Sequence, residues 1–177
     1  EDKRYWQHYG VDPLAVLRAI KDYVATGRVI SGASTLTMQT ARLMRPELGK
    51  KTVFVKLQQM LEALRLEAHW TKDEILEAYF TLAPYGGNVE GIKAASAAWF
   101  QKPPLQLTVS EAALLTALPQ SPERRRPDRY SQKAFLAKSR VLEVVKNKLS
   151  LTEQEIAEYK AEALPSRRYK PSSQSPH

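Results

Sequence analysis

Three short stretches of the chain concentrate residue types that can do chemistry. Residues 1–12 combine acidic side chains with aromatic residues and a histidine. Residues 32–39, GASTLTMQ, place small and hydroxylated residues ahead of a helical pattern, and residues 85–91, YGGNVEG, form a glycine-rich turn. Carboxylates can transfer protons, and hydroxyl groups can donate hydrogen bonds to a ligand. The three stretches therefore predict a functional site rather than core packing alone.

Each stretch also has a structural explanation when it is taken singly. The acids at the start fit an exposed terminus, and Ser34 or Thr35 fits a helix cap. His8 and His69 lack the spacing of paired metal ligands, so they predict no metal site. Ser34 has no evident His and Asp partners, which disfavours a serine hydrolase.

Composition excludes several classes of protein. The chain has 177 residues, and 27 Lys and Arg against 19 Asp and Glu give a net charge of +8. The absence of cysteine excludes disulfides, cysteine-ligated zinc and thiol nucleophiles. No uncharged apolar run approaches the ~18 residues that a membrane span needs.

The positive charge is concentrated between residues 123 and 148, where nine Lys and Arg stand against three acids. A basic face of this kind suits an anionic partner such as nucleic acid, a phospholipid surface or a phosphorylated substrate. An ordinary solvated helix face explains the same charge equally well.

The elements that must position these stretches are helices. Asp12 followed by proline predicts a helix that runs to about Val24. Capping boxes of the Thr-x-x-Glu type begin at Thr71, Thr108 and Thr152. No stretch combines strand alternation with hairpin turns, so the predicted fold class is mainly α.

A longer helix is predicted from about Thr52 to Ala68. Its apolar stripe comprises Val53, Leu57, Met60, Leu61 and Leu64. We expect one domain over residues 1–164, truncated at its N-terminus because the chain starts abruptly and without Met. Residues 165–177 are polar and proline-rich, which predicts a linker or a disordered tail.

Taken together, the polar stretches match four motifs of one family in order and spacing. The sequence resembles the peptidoglycan glycosyltransferase domain (family 51) of class A penicillin-binding proteins, closest to the 1C type. The first motif, EDxxFxxHxG, matches Glu1, Asp2, Tyr5, His8 and Gly10, with Tyr in place of Phe. The second, GxSTxTxQ, matches Gly32, Ser34, Thr35, Thr37 and Gln39. The fourth matches at Gly86, Gly91, Ala94, Ala95, Phe100 and Lys102, and the fifth at Leu107, Glu111, Ala112, Leu115, Pro119 and Pro122.

The third motif of the family is incomplete in this chain. Its usual Arg-Lys-x-x-Glu pattern falls on Val55, Lys56 and Gln59. The lysine is kept, while the arginine and the second glutamate are absent. This departure conflicts with any mechanism that requires two carboxylates.

The resemblance implies polymerisation of lipid II, the undecaprenyl-pyrophosphate-linked GlcNAc–MurNAc-pentapeptide, with inversion and release of undecaprenyl pyrophosphate. It implies a lysozyme-like large lobe and a small membrane-contacting jaw, whose exposed residues would be Leu43, Met44, Leu48, Val53 and Phe54. The expected location is the outer (periplasmic) face of the bacterial inner membrane. The expected partners are lipid II, the growing glycan strand, the membrane surface and a C-terminal transpeptidase domain, with no nucleic acid.

The resemblance also assigns roles to single residues. Glu1 is implied as the general base, and Lys56 as the charge that assists departure of the pyrophosphate, together with Arg42 and Lys50 or Lys51. A divalent cation, Mg²⁺ or Mn²⁺, is an alternative source of that charge, and no other cofactor is implied. The implied substrate-binding residues are Asp2, His8, Ser34, Thr35, Gln39, Arg42, Gln59 and Asn88.

Three other functions stay open on the sequence alone. A lysozyme-like glycan hydrolase needs a second carboxylate near Glu1, for which Glu67 and Glu90 are the candidates. A degenerate domain that only binds lipid II would account for Gln59. A helical nucleic-acid-binding module using Arg124–Arg126 would account for the charge, but for neither polar motif.

Overall fold

A computed structural model of the chain describes residues 2–27, 34–49 and 52–169. The α-helices in these ranges are α1 (Pro13–Thr26), α2 (Leu36–Met44), α3 (Val53–His69), α4 (Lys72–Leu82), α5 (Ile92–Phe100), α6 (Val109–Ala117), α7 (Ser131–Val145) and α8 (Glu153–Ala161). Short 3₁₀ helices span Tyr5–Gln7, Pro46–Gly49 and Pro104–Gln106. Since the described ranges hold helices and no β-strand, the prediction of a mainly α fold is confirmed. None of the helices described there is long and apolar enough to cross a membrane.

Helix starts follow the predicted caps. Asp12 accepts hydrogen bonds from two N–H groups in the first turn of α1. The capping boxes at Thr108 and Thr152 close in both directions. The third box is also present, because the Glu74 carboxylate accepts from the Thr71 N–H at 2.7 Å and the Thr71 hydroxyl accepts from the Glu74 N–H. These side chains satisfy N–H groups that a first helical turn leaves without partners.

The helices form two compact units, Glu1–Leu82 and Ala83–His177. In the first unit α2 packs against both α3 and α4. Buried side chains in this unit include Met38, Ala63 and Ile75, each at most 1% exposed. The unit therefore has its own core, centred on α2.

The segment that leads into α1 runs directly over the backbone of α3. Gly10 has a φ of +64°, and a Cβ built at this position would lie 2.8 Å from the carbonyl carbon of Ala63. Only glycine fits both the left-handed backbone and this close approach. The first motif is thereby held against the middle of α3.

The apolar stripe of α3 faces outward, which differs from the usual orientation of such a stripe toward a core. Val53 is 78% exposed, Leu57 58% and Leu61 49%. The face that α3 buries contains Val55, Gln59 and Ala63. At Ala63 the reason is steric, since the backbone at Gly10 approaches α3 so closely that only a small side chain fits there.

Leu48 is a correction to the predicted jaw surface. It is 4% exposed and belongs to the core, because the 3₁₀ helix Pro46–Gly49 packs against α2 and α3. Met44 and Phe54, in contrast, are 42% and 68% exposed, as predicted.

In the second unit α6 packs against α7, and α7 packs against α8. Ala113, Leu142 and Ile156 form the buried cluster between these helices. Trp99 at the end of α5 is also buried, and its indole N–H donates to the Tyr85 carbonyl at 3.2 Å. This bond attaches α5 to the glycine-rich turn.

Part of the predicted tail lies against the second unit. The Tyr169 N–H donates to the Ala98 carbonyl at 2.8 Å, and the Arg168 guanidinium donates to the Gly87 carbonyl. Residues 168 and 169 are therefore in contact with α5 and the glycine-rich turn. That residues 165–177 serve as a linker stays a prediction.

Candidate active site

The first motif is organised around a buried pair, Asp2 and His8. The two side chains are 7% and 1% exposed, and His8 Nε2 donates to the Asp2 carboxylate at 3.1 Å. The same carboxylate accepts from the Leu36 N–H at 2.8 Å, at the first residue of α2. Both residues were predicted to bind substrate, but here their polar contacts fix the chain onto α2.

Thr35 has a similar internal role. It is 2% exposed, its hydroxyl donates to the Gly10 carbonyl at 2.6 Å, and it accepts from the Met38 N–H as the cap of α2. The Thr35 hydroxyl therefore both donates and accepts a hydrogen bond within the chain. The residue thus joins the first motif to the second.

Lys56 occupies the centre of a small polar cluster. Its ammonium donates to the Ser34 hydroxyl and, at 3.4 Å, to the Gln59 amide oxygen. The Gln59 amide N–H donates in turn to the Leu48 carbonyl at 2.6 Å. The structure therefore brings together three residues that the sequence analysis placed in the site, namely Ser34, Lys56 and Gln59.

Arg42 is the second cation of this cluster. Burial, and next the positive charge of Arg42, lower the pKa of Lys56 below that of an ordinary lysine. Arg42 itself is exposed near the end of α2. Among the described residues neither cation forms an ion pair with a carboxylate, so their charge is available to an anionic ligand.

Glu67 is the hub of a second buried network. Its side chain is 4% exposed and accepts from the Thr37 hydroxyl and from the Lys72 ammonium, each at 2.6 Å. Lys72 was not singled out by the sequence analysis, because a lysine one residue after a helix cap is typical of a solvated surface. The short turn between α3 and α4 brings it back to Glu67, five residues earlier in the chain.

Tyr5 connects this network to the first motif. Its hydroxyl donates to the Lys72 carbonyl at 2.6 Å, and the Lys72 ammonium lies 4.4 Å from the centre of its ring. Burial first, and then the charges of Glu67, Asp2 and Asp73, raise the pKa of the Tyr5 phenol. The phenol therefore stays a neutral donor. Tyr5, the aromatic residue of the first motif, is held by Lys72 through both its hydroxyl and its ring.

Other predicted site residues are placed differently. Glu1, Lys50 and Lys51 lie outside the described residues. Gln39 is half-buried on α2. Asn88 is exposed in the second unit, where its φ of +58° belongs to the glycine-rich turn.

The basic stretch between residues 123 and 148 does not form a uniform cationic face. Arg126 pairs with Asp128 at 2.7 Å, and Lys146 pairs with Glu153. Lys138 is 1% exposed and serves the interior. Its ammonium donates to the Ser110 hydroxyl and to the carbonyls of Tyr159 and Glu162, at 2.8–3.1 Å.

A divalent cation finds no evident ligand set in the part of the chain that the structure describes. No group of three or more His, Asp or Glu side chains in those ranges could hold a metal ion. Two buried carboxylates of the first unit, Asp2 and Glu67, are already bonded to His8 and Lys72. A role for Mg²⁺ or Mn²⁺ therefore stays a prediction.

Comparison with known proteins gives a consistent result. The transglycosylase family model matches residues 1–146 of the chain. Over 143 residues the chain is 50% identical to penicillin-binding protein 1C of Escherichia coli (strain K12), covering 81% of this chain and 18% of that protein. Over 166 residues it is 34% identical to penicillin-binding protein 1A of the same organism, covering 93% of this chain and 19% of that protein.

The chain thus spans less than a fifth of the length of these relatives. A crystal structure of penicillin-binding protein 1A from Haemophilus influenzae matches 77% of this chain and 17% of that chain, with a TM-score of 0.45 and 15% identity. That similarity is too low to support an inference about the fold.

Proposed function

This chain belongs to the transglycosylase family, and we propose that it polymerises lipid II into glycan strands with release of undecaprenyl pyrophosphate. The proposal joins the family membership to the chemistry of the cluster around Lys56. A transpeptidase domain that follows this one is part of the same proposal, since the relatives are much longer than the chain.

The observation that carries the proposal is the pair of cations beside α2, Lys56 and Arg42. The Lys56 ammonium is held at Ser34, and Arg42 is close enough to lower the pKa of Lys56. A pyrophosphate that leaves as an anion needs positive charge at its oxygens rather than a proton. Charged hydrogen bonds from lysine and arginine are suited to that task.

The reaction is a single displacement. The 4-hydroxyl of the acceptor GlcNAc forms a C–O bond to the anomeric carbon of the donor while the bond from that carbon to the pyrophosphate oxygen breaks. Configuration inverts, the hydroxyl proton passes to the Glu1 carboxylate, and the electron pair leaves with the pyrophosphate. Lys56 and Arg42 offset the negative charge that develops there.

Glycan hydrolysis is less well supported, because its second carboxylate is engaged elsewhere. The Glu67 carboxylate accepts from Thr37 and from Lys72. A nucleophile or base must reach the substrate with a free lone pair and the right geometry. Glu90, the other candidate, is exposed in the second unit.

We also propose that the first unit contacts the outer surface of the bacterial inner membrane. The outward stripe of α3 supports this, since Val53, Phe54 and Leu57 are all more than half exposed. An apolar face beside cations is typical of an element that lies in a lipid interface. The polyisoprenyl chain of the substrate requires the enzyme to work at such a surface.

The test is glycan synthesis from labelled lipid II in detergent, with the chains separated by length. We expect polymer from the wild-type protein and a loss of about 10²–10⁴-fold in rate for Glu1→Gln, as is typical for removal of a general base. Helical content should be unchanged in the variant. A folded wild-type protein that binds lipid II without making polymer would be the degenerate, binding-only domain instead.

A further inference from the structure

Gln59 stands where the third motif of the family usually has a glutamate, and both ends of its amide are bonded. The residue is 7% exposed. Its Nε2 donates to the Leu48 carbonyl at 2.6 Å, and its Oε1 accepts from Lys56 Nζ at 3.4 Å. An amide donates and accepts at the same time, whereas an ionised carboxylate only accepts. A glutamate at this position would face the Leu48 carbonyl without a hydrogen to donate.

The bond to Leu48 joins a short 3₁₀ helix to α3 by a specific polar contact, in addition to its packing. Leu48 lies near the end of the 3₁₀ helix Pro46–Gly49, and carbonyls at a helix end lack partners within the helix itself. Its side chain is 4% exposed, so its surroundings are part of the core. The amide of Gln59 supplies the donor that this buried carbonyl needs and ties the segment to α3.

The other end of Gln59 acts on Lys56. The ammonium of Lys56 also donates to Ser34, so it lies between two neutral oxygens. A neutral amide oxygen orients the ammonium and leaves its charge uncompensated by any carboxylate among the residues that the structure describes. A carboxylate in the same place would form an ion pair and offset the charge that an anionic leaving group requires.

We propose that Gln59 is a positioning residue, whose amide anchors the 3₁₀ helix Pro46–Gly49 through Leu48 and aims the uncompensated ammonium of Lys56. The catalytic consequence rests on the proposed function, but the anchoring does not. On this proposal the amide of Gln59 takes the place of the usual glutamate in an active enzyme, and its presence does not indicate lost activity.

The test compares Gln59→Glu and Gln59→Met with a matched control, Gln58→Glu, in the full-length protein. Gln58 is the neighbouring residue on α3 and is exposed, so its substitution makes the same chemical change outside the cluster. Hydrogen–deuterium exchange over residues 45–49 is measured across a pH series and expressed as protection. At neutral pH we expect about 10-fold less protection in both Gln59 variants, the equivalent of about 1.4 kcal/mol, and wild-type protection in the control.

Acidification separates anchoring from a general loss of packing. In Gln59→Glu the carboxyl group takes up a proton, can then donate to the Leu48 carbonyl, and should restore protection. In Gln59→Met no such recovery should occur. Wild-type protection in Gln59→Met at neutral pH, or a pH-independent loss in Gln59→Glu, would overturn the anchoring.

Initial rates on labelled lipid II test the effect on Lys56. We expect Gln59→Glu to be about 10-fold slower at neutral pH, because its carboxylate offsets the charge of Lys56. A charged hydrogen bond from Lys56 to the leaving group would contribute a factor of that size. Gln58→Glu should keep the wild-type rate. A Gln59→Glu rate above that of the wild type would overturn this part of the proposal. If the exchange pattern appears but the wild-type protein makes no glycan, the anchoring is supported and the proposed function is what fails.

Discussion

His8 donates from Nε2 to the Asp2 carboxylate at 3.1 Å, and both side chains are buried. Because the same carboxylate accepts from the Leu36 N–H, the residue directly after Glu1 is fixed to the start of α2. The first and second motifs are therefore joined through one carboxylate. This relationship holds the segment at the start of the chain against the start of α2.

We expect His8→Ala to lower the free energy of unfolding by about 1–3 kcal/mol, because it leaves the buried Asp2 carboxylate short of a donor. His8→Gln, whose amide can still donate, should recover part of that loss. Lys3→Ala, at an exposed neighbouring position, is the control. Urea unfolding of the three variants is the measurement, and equal midpoints for His8→Ala and Lys3→Ala would contradict the role given to the pair.

The outward stripe of α3 predicts how lipid binding responds to mutation. Replacing Val53, Phe54 and Leu57 together by Ser should weaken binding to anionic liposomes at least tenfold, since each exposed side chain offers about 1.5–3 kcal/mol on burial. Their removal should leave stability unchanged within about 1 kcal/mol. Binding should also weaken with added salt as the basic side chains are screened.

Leu48→Ala is the matched control for the same liposome experiment. Leu48 is buried, so its truncation should cost about 2–5 kcal/mol of stability and leave lipid binding of the folded protein unchanged. If instead the triple Ser variant unfolds and Leu48→Ala loses lipid binding, the assignment of the α3 stripe to the lipid-binding surface and of Leu48 to the core is wrong.

The lowered pKa of Lys56 predicts the alkaline side of the pH–rate profile. Because burial and Arg42 both favour the neutral amine, the rate should fall at a lower pH than an ordinary lysine would give. Arg42→Gln removes the second cause and should move this limb to higher pH, while also lowering the rate about 10-fold through loss of a charged hydrogen bond.

Protein stability should move in the opposite sense over that pH range. The folded pKa of Lys56 lies below the unfolded one, so between the two values the unfolded state binds more protons. The contribution of Lys56 to the free energy of unfolding therefore rises with pH across the window in which the rate falls. The measurements are kcat/KM and denaturant unfolding at each pH, and a parallel fall of both would indicate unfolding instead of titration.

The buried ammonium of Lys138 predicts a structural role in the second unit. Lys138→Met leaves the Tyr159 and Glu162 carbonyls without this donor, at about 1–3 kcal/mol for each acceptor that stays buried and unpaired. Lys133→Met, at an exposed position of the same helix, should cost less than about 1 kcal/mol. Denaturant unfolding distinguishes the two, and a Lys138→Met protein as stable as the control would contradict the contacts.

The sequence alone determined the helical class, the caps and the family. Asp12, Thr108 and Thr152 cap helices where predicted, because a cap is a local contact between a side chain and the next turn. The motifs around Asp2 and Ser34 identified the family, which the match over residues 1–146 confirms. Local spacing was sufficient for the caps, and the order of the motifs along the chain was sufficient for the family.

Tertiary structure alone decided which faces are buried. The apolar pattern of α3 gives the position of the stripe around the helix axis, but whether the stripe meets a core depends on what packs beside it. Here the approaching backbone admits Ala63 and Gln59, and Leu57 and Leu61 face outward. The same dependence on neighbouring elements buried Leu48 against α2 and α3, since contacts between separate elements leave no periodic signal in the sequence.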